Sequence, residues 1–401
     1  MNALPRTPPS NRDEHWKYAN LRGLARLSAV SPPAASDALI ERVANRLPPR
    51  LPDSVRAVLI DGRLVSALTD ADLGGGAEHA LAPGLQLRAT TATADRSRIA
   101  RPADRYYAEV NAEARAETVW VSLAAESRAR LEILCVASSD AHPALQIELG
   151  ARARLTLLER HLSLDVDTQG VTNLHWQGRV GEAAVLELAR VGQHGPKMQA
   201  VETLELELEQ GAHAQVVQVV HGGANSRSTA YVSQVGRDAQ LDWQAATLGD
   251  AAQTHDAFVL VAHQAPGVRT RQVFRGIAAA RSRVAFNGHM LVAASARGTD
   301  SAQSLRGLIA GAEAEADVRP QLEIYTDAIK ASHGATVGKL DADMLFYLLS
   351  RGIDPATAES LLKWAFVSDV LARLPCAALR AQLEAALERQ LPGAAAARVA
   401  A

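Results

Sequence analysis

A short motif, Gly-x-x-Ala followed by a strand-like alternation of apolar and polar residues, recurs through the middle of the chain. Copies begin at Gly150, Gly181, Gly211, Gly236 and Gly311. The first four starts lie 31, 30 and 25 residues apart. A unit this short cannot bury its own inner face, so successive units must stack on one another. The repeat therefore predicts a β-solenoid, and most simply a parallel β-helix with two strands per coil.

The repeat also predicts where its glycine and alanine residues lie in each coil. Glycine suits the turn before each strand, and alanine fits where a strand passes close to the opposite wall of a thin core. The predicted inward alanines are Ala153, Ala184, Ala214, Ala239 and Ala314. An antiparallel sandwich would contain similar short strands, but it gives no reason for the motif to keep one phase. The solenoid is therefore the favoured architecture.

Residues outside the repeat indicate helices at both ends. We predict an N-terminal helical region with a small hairpin over 1–106, a β-helix core over 107–330 and a C-terminal helical domain over 331–401. The fold class is thus mainly β, a parallel β-helix flanked by helical regions. The hairpin is expected at Asp61-Gly62, since this pair suits a type I′ turn. Gly74 to Gly76 should form a flexible break, and residues 394–401 a fraying tail.

The junction between the core and the last helices combines several signals. Ser332 to Gly338 is predicted to form a tight polar loop, because it joins small polar residues to two glycines. Asp341 should then cap an apolar helix that ends at Gly352. One face of that helix is predicted to carry Met344, Leu345, Leu348 and Leu349.

A second C-terminal helix is predicted to begin at Asp354-Pro355, with Asp as the N-cap and Pro at the first helical position. Phe366 falls on its buried stripe, whereas Trp364 falls off the stripe and would be exposed. An exposed aromatic residue on a terminal helix is a plausible anchor for a partner protein. Trp364 and Phe366 are therefore the candidate partner-binding residues, and packing against the last helix is the alternative.

The amino-acid composition limits the binding partners and the cellular compartment that we expect for this chain. The formal net charge is −2 at pH 7, whereas a nucleic-acid-binding chain usually carries a basic excess. Only Cys135 and Cys376 are cysteines, so neither a disulfide scaffold nor a self-contained cysteine metal site is expected. No signal-peptide segment is visible, and no apolar run approaches the roughly 20 residues of a spanning helix. We expect a cytoplasmic protein that binds neither nucleic acid nor membrane.

The residues 330–341, Lys-Ala-Ser-His-Gly-Ala-Thr-Val-Gly-Lys-Leu-Asp, resemble the SufB/SufD family of scaffold proteins from the SUF iron–sulfur cluster assembly system. Further matches are Pro320-Gln-Leu-Glu-Ile324, Ala285-Phe-Asn-Gly288, Leu345-Phe-Tyr-Leu348 and Ser350-Arg-Gly-Ile353. The N-terminal Asp13-Glu-His-Trp-Lys-Tyr18 fits one branch of the family in particular. The resemblance extends over nearly the whole chain.

The resemblance implies a β-helix between two helical regions, in agreement with the repeat. It also implies pairing with a SufB-like paralogue and binding of a SufC-type ABC ATPase to the C-terminal helices. A homodimer is expected when the paralogue is absent, because paralogues share one pairing surface. No stably bound cofactor is implied, only a transient iron ion or iron–sulfur cluster at the interface with SufB.

The family often has a cysteine at the position that Ala331 occupies here. His333 matches the family residue for residue, so it is the candidate ligand for iron or a nascent cluster. Thiolate is the natural ligand of such species and imidazole a workable one, so thiolates would have to come from the partner. The alternative is a structural role for His333, with its ring hydrogen-bonded in a turn.

The other histidines of the β region form no recognisable set of metal ligands. His263 resembles a recurring family position and is the second candidate metal ligand; a hydrogen-bonded structural histidine is the alternative. Cys135 lies in an apolar run and is expected to be buried and unreactive.

Two functions remain open from the residues. The first is a non-catalytic scaffold that assists iron acquisition and cluster assembly, for which no catalytic residue is expected. The second is a β-helix enzyme, a polysaccharide lyase or hydrolase acting on a polymer. Against the enzyme, aromatic residues make up only 4% of the chain, and platforms that bind sugars need stacking rings.

Overall fold

The computed structural model describes residues 8–70, 82–91, 97–388 and 391. In this part of the chain the strands wind into a parallel β-solenoid whose two sheets enclose one apolar core. Each coil contributes one strand to each sheet, so successive strands of the solenoid alternate between the sheets. The predicted fold class and the two strands per coil are confirmed.

The two sheets are built from the following strands. The first sheet contains β1 (Val55–Ile60), β2 (Arg63–Leu64), β5 (Arg128–Ala137), β7 (Arg154–Ser163), β9 (Val185–Gln193), β11 (His213–His221), β13 (Gln240–Gly249), β15 (Arg269–Ala279), β17 (Thr299–Ala310) and β19 (Ile329–Lys339). The second sheet contains β3 (Leu85–Thr90), β4 (Thr118–Leu123), β6 (Ala144–Leu149), β8 (Gln169–Val180), β10 (Lys197–Leu208), β12 (Asn225–Gln234), β14 (Thr254–His263), β16 (Arg283–Val292) and β18 (Glu315–Ile324).

Neighbouring coils stay in register along the first sheet. One inward row across five strands consists of Leu131, Leu157, Leu188, Val216 and Trp243. Every one of these side chains is buried. Because side chains alternate between the two faces of a strand, a slip of one residue would turn each row out of the core. The continuous register therefore determines which residues fill the interior along the whole solenoid.

The repeat glycines are required by close approach between coils, which differs from the turn role predicted for them. Gly150, Gly181, Gly236 and Gly311 have no positive φ angle. A Cβ atom at Gly236 would lie 1.9 Å from the backbone nitrogen of Gln210 in the preceding coil. At the other three positions the nearest backbone atom would lie 2.4 to 2.6 Å away. A side chain at these positions would push the coils apart.

The third copy of the repeat is displaced by two residues, although its predicted inward alanine, Ala214, does lie in the core. The positive φ angle of the turn falls on Arg152 and Ala183 in the first two copies, two residues after the repeat glycine. In the third copy it falls on Gly211 itself, with φ of 63°. Gly211 is therefore equivalent to Arg152 and not to Gly150. The small residue directly before the strand is Ala212, whereas Ala214 lies one inward position further along β11 and is also buried.

The N-terminal region contains α1 (Leu21–Leu24), α2 (Asp37–Ala44) and α3 (Pro102–Ala114), with 3₁₀ turns at Glu14–Trp16 and Ser66–Leu68. The predicted hairpin is confirmed, since β1 pairs antiparallel with the short β2 and both Asp61 and Gly62 have positive φ. Strand β1 also pairs in parallel with β5, so the hairpin starts the first sheet.

A buried carboxylate fastens the N-terminal segment to the outside of the second sheet. Asp104, on α3, is fully buried and accepts hydrogen bonds from His15 Nδ1 (2.8 Å), Trp16 Nε1 (2.7 Å) and the Tyr231 hydroxyl (2.6 Å). Burial alone would raise the pKa of Asp104, but the hydrogen bonds from these donors together outweigh burial, so the pKa lies below its usual value. The neighbouring Glu14 forms an ion pair with Arg319 on β18. The segment thus reaches the last coil of the solenoid.

The C-terminal region contains α4 (Ala342–Ser350), α5 (Pro355–Leu371) and α6 (Ala377–Leu387). The predicted caps are confirmed: Asp341 accepts from the backbone nitrogens of Asp343 and Met344, and Asp354 accepts from that of Thr357. Helix α4 stops at Gly352, whose φ is 83°. Helices α5 and α6 cover the outer face of the first sheet, where their apolar side chains join those of β9, β11 and β13 in one cluster.

The predicted exposure of Trp364 is wrong. Its side chain is 7% exposed and belongs to the cluster between α5 and the first sheet, together with Val367, Val191 and Val219. The buried stripe of α5 is set by the sheet beneath it, and it includes Trp364. Phe366 is partly buried at the edge of the same cluster.

Two sequence-based predictions concern residues outside the described part of the chain: the flexible break at Gly74 to Gly76 and the fraying tail over 394–401. The division of the chain into three regions stays a prediction. Among the described residues, no helix has the length and apolar character needed to cross a bilayer.

The close approach of the coils predicts an asymmetric result for two glycine substitutions. Gly236→Ala should lower the free energy of unfolding by about 2 kcal/mol or more, because its Cβ would overlap fixed backbone. Gly192→Ala should leave stability unchanged or slightly raised, since its nearest neighbour would lie 3.8 Å away. Urea unfolding of both variants measures this. Equal losses for both variants would contradict the account.

Candidate functional site

The predicted loop at Ser332 to Gly338 is wrong, because these residues form the middle of β19. This strand pairs in parallel with β17 from Thr299 opposite Ile329 to Ile309 opposite Lys339. Gly334 and Gly338 have no positive φ angle, and a Cβ at either would meet nothing within 4 Å. Small residues suggested a turn, but the free edge of β17 offers a complete row of hydrogen-bonding partners. Tertiary pairing therefore overrides the local preference.

Strands β18 and β19 end the two sheets, and no described strand pairs with their outer edges. Every residue of β19 after Ile329 is exposed, and no residue of β18 is fully buried. The last coil thus leaves both its hydrogen-bonding edge and its inner face open. Long unpaired edges are normally blocked by charge, bulges or a covering element, because they attract other strands. The open end of the solenoid is therefore the candidate functional site.

The inward row that is apolar through the middle of the solenoid becomes polar at this end. After Trp243 it continues as Gln272, Gln303 and His333 on β15, β17 and β19. Gln303 Nε2 donates to Gln272 Oε1 (2.7 Å) and to the Gly288 carbonyl (2.9 Å). The other amide atom, Gln303 Oε1, is buried and has no hydrogen-bond partner among the described residues.

His333 is placed on the inward face of β19, yet it is exposed because no further coil follows in the described part of the chain. The register puts it next to Gln303, and Ala331 lies two residues away on the same face. A thiol at position 331 would stand beside the imidazole, but this chain has only a methyl group there. The described residues contain no group of three or more His, Cys, Asp or Glu side chains arranged to hold a metal ion. His333 is thus a single exposed imidazole at the open end, and its role as a ligand stays a prediction.

His263 lies inside the solenoid and away from solvent. It is fully buried, and its Nε2 is 2.9 Å from the Thr270 hydroxyl, which in turn donates to Gln234 Oε1 (3.1 Å). Burial lowers the pKa of His263 to about 4. The structure does not bring it together with His333, and its role as a metal ligand stays a prediction.

Cys135 is buried inside the solenoid, as predicted, and burial raises the pKa of its thiol. Cys376 is also buried, in the cluster beneath the C-terminal helices. Neither thiol is exposed for ligation or oxidation in this chain.

Helix α4 presents an apolar surface next to the open end. None of its residues is fully buried: Leu345 and Leu348 are half-buried, whereas Met344 and Leu349 are exposed. Phe346 is 72% exposed and Tyr347 is 55% exposed. The amphipathic pattern identified the helix but missed these two aromatic residues. A concentration of exposed apolar side chains on one short helix indicates a protein-binding surface.

Fold and site together define a class: a β-solenoid protein with an open terminal coil, a lone inward histidine and an adjoining apolar helix. Residues 133–366 match a family model described as SUF system FeS cluster assembly, SufBD core domain. This match covers more than half of the chain, and the chain belongs to the SufBD family. Its function lies in iron–sulfur cluster assembly.

Three relatives show how far the similarity extends. The chain is 29% identical over 397 residues to the iron–sulfur cluster assembly protein SufD of Escherichia coli, covering 96% of this chain and 90% of that protein. It is 32% identical over 168 residues to a SufBD family protein of Synechocystis, covering 42% and 37%. It is 29% identical over 150 residues to SufD of Bacillus subtilis, covering 37% and 34%. The family predicted from the sequence, and its SufD branch, are confirmed.

Buried neutral histidines make the stability of the fold depend on pH. Burial lowers the pKa of His194 to about 3 and the pKa values of His255 and His263 to about 4. Their pKa in the unfolded chain is about 6.5. Between these values the unfolded state binds more protons than the folded state, so stability falls as pH falls.

We therefore predict that the free energy of unfolding is level above about pH 6.5 and decreases below it by roughly 1.4 kcal/mol per pH unit for each histidine. Chemical denaturation at pH 7.5, 6.0 and 5.0 measures this slope. His255→Gln removes one of these protonation sites, so it should reduce the slope by about 1.4 kcal/mol per pH unit. A free energy of unfolding that stays constant between pH 7.5 and 5.0 would contradict the prediction.

Proposed function

We propose that this chain is a non-catalytic scaffold subunit of the SUF machinery. It pairs with a SufB-like paralogue through the open end of the solenoid and binds a SufC-type ABC ATPase through its C-terminal helical region. Family membership supports a role in cluster assembly, and the three relatives are named as assembly or family proteins rather than as lyases or hydrolases. The observation that carries the proposal is the last coil, whose outer edges pair with none of the described strands.

Pairing by strand addition would satisfy the open edge. A partner that presents a similar terminal coil would continue both sheets, with β18 and β19 supplying 10 and 11 residues of backbone hydrogen-bonding edge. The middle of β19 carries small side chains, including Ala331, Gly334 and Ala335, which permit close approach of a second coil. A paralogue with the same coil geometry fits this edge, and in its absence a second copy of this chain would fit it less specifically.

His333 would then lie inside the joined solenoid at the interface. We propose that it supplies one ligand to iron or to a nascent cluster, which is the cargo of the complex and not a resident cofactor. Thiolates would come from the partner, since Ala331 cannot supply one. Gln303 Oε1, which has no hydrogen-bond partner among the described residues, would accept the N–H of the imidazole and fix the orientation of the ring.

The ATPase contact is proposed at the apolar surface of α4. Exposed aromatic residues near the centre of an interface carry most of its binding energy, and Phe346 is the most exposed of them. Trp364 is buried against the sheet, so it would contribute by holding α5 in place. Phe366, which is partly buried, would lie at the border of this surface.

His333→Ala tests the ligand role. In the complex with the paralogue and the ATPase, we expect unchanged thermal stability and unchanged pairing, because the side chain is exposed and makes no described hydrogen bond. Iron and sulfide retained per complex after anaerobic reconstitution should fall by about tenfold or more. Ser332→Ala, on the opposite face of the same strand, should retain both. Full retention in His333→Ala would exclude the ligand role.

Co-purification of the chain with the paralogue and the ATPase distinguishes the two proposed docking surfaces, the open end of the solenoid and helix α4. Phe346→Asp should reduce retention of the ATPase while pairing with the paralogue stays intact, because the substitution changes only an exposed side chain of α4. A lysine substitution at Gly334 should reduce pairing and leave ATPase retention intact. If both variants retained both partners, the assignment of surfaces would be wrong.

A further inference from the structure

Two buried guanidinium groups and only one buried carboxylate lie close together on the outer face of the first sheet. Arg56 Nε donates to Glu132 Oε2 at 2.7 Å, and both side chains are buried. Arg160, on the next strand, is only 5% exposed. It forms no ion pair with any described residue; it donates instead to the amide oxygens of Gln193 and Gln382. The cluster therefore carries one uncompensated positive charge.

An unmatched buried charge is costly unless something completes its coordination. Burial lowers the pKa of Arg160 and the neighbouring Arg56 lowers it further, while the Glu132 carboxylate opposes this shift only in part. Arginine nevertheless stays charged at neutral pH. A stabilising anion beside Arg160 would remove the imbalance.

Such an anion has a place to bind. Arg160 lines a groove of about 450 Å³ at the carboxyl ends of β7, β9 and β11, between the segment after α2 and helix α6. Its polar lining includes Arg46, Gln193, His194, His221 and Gln253. No aspartate or glutamate is among the described residues that line it. This distribution is unusual in a chain whose formal net charge is −2.

Arg46, the second arginine of the groove, also belongs to a cluster that contains more guanidinium groups than carboxylates. Arg46 Nε lies 2.9 Å from Asp165 Oδ1, but Arg42 Nη2 also lies 2.7 Å from the other oxygen of this carboxylate. Two guanidinium groups thus share one carboxylate on this side of the groove. Each of the two clusters thus contains one more guanidinium group than carboxylates beside the groove.

A buried histidine adds an unused polar atom. His194 is 8% exposed, and its Nδ1 has no hydrogen-bond partner among the described residues. Its Nε2 is 3.4 Å from the Thr172 hydroxyl. Burial and the neighbouring His161 lower the pKa of His194 to about 3, so the ring is neutral at pH 7 and can offer an N–H without adding charge.

We propose that this groove binds a small molecule that carries a phosphate or carboxylate group, with Arg160 as its principal counter-charge. Guanidinium groups recognise both oxyanions through paired N–H donors. The volume fits a small ligand rather than a bare ion. No Phe, Tyr or Trp is among the described lining residues.

The site is separate from the open end of the solenoid. Strands β13, β15 and β17 lie between β11 and β19, which at the usual strand spacing is a separation of about 19 Å. The ligand would join the segment after α2, the first sheet and α6, so its binding should stabilise the folded chain. The inference does not depend on pairing with a paralogue or on the role of His333.

Thermal unfolding of the full chain, titrated separately with inorganic phosphate, citrate and sodium chloride at matched ionic strength, tests the proposal. We expect a saturable rise in midpoint with phosphate or citrate and none with chloride. Phosphate alone would identify a phosphate-bearing ligand, and citrate alone a carboxylate-bearing one. Arg160→Gln should weaken the apparent affinity by about tenfold or more. Arg152→Gln, which alters an exposed arginine paired with Glu126, should not weaken it.

If Arg160→Gln does not fold, Arg46→Gln provides the second variant, since Arg46 is exposed and its replacement should weaken the affinity several-fold without unfolding the chain. The proposal is overturned if the midpoint follows ionic strength alone. It is also overturned if Arg160→Gln, or Arg46→Gln in its place, responds to both anions as the unsubstituted chain does.

Discussion

The unbroken parallel register between successive coils is the constraint on which the rest of the structure depends. It sets the row of residues that fills the core, and it brings the repeat glycines so close to the preceding coil that a Cβ at Gly236 would lie 1.9 Å from a backbone nitrogen. The same register carries the polar row from Gln272 through Gln303 to His333. Position in the stack therefore determines the chemistry of the last coil.

Because every coil pairs with the next in the same way, the strands at each end of a solenoid are left with a free edge that must be capped or paired. At the first end, β2 and β3 pair antiparallel with the first strands of their sheets and close them off. At the last end no described element covers β18 and β19. The N-terminal segment and the helices α5 and α6 brace the outer faces of the two sheets without blocking that edge. The flanking elements thus pack on both sheets, and they leave the outer edges of β18 and β19 without a strand partner among the described residues.

Much of this could be predicted from the residues. The Gly-x-x-Ala phase gave the solenoid, and cap residues such as Asp341 and Asp354 placed the helix starts, because both signals act locally. Three features depend on tertiary packing and could not be inferred locally. Ser332 to Gly338 forms a strand because β17 offers a free edge. Trp364 is buried because the sheet lies under α5. The third repeat is displaced because Gly211 takes the positive φ position.

Amide hydrogen exchange of β19 tests the central claim most directly. In the isolated chain, the amides of residues 330–339 that point away from β17 should exchange rapidly, whereas those of β13 and β15 stay protected. Addition of a SufB-like partner should slow exchange of these β19 amides by more than about tenfold, since new strand hydrogen bonds would hold them closed. Unchanged exchange in β19 on formation of a stable complex, with new protection elsewhere, would contradict pairing through the open end.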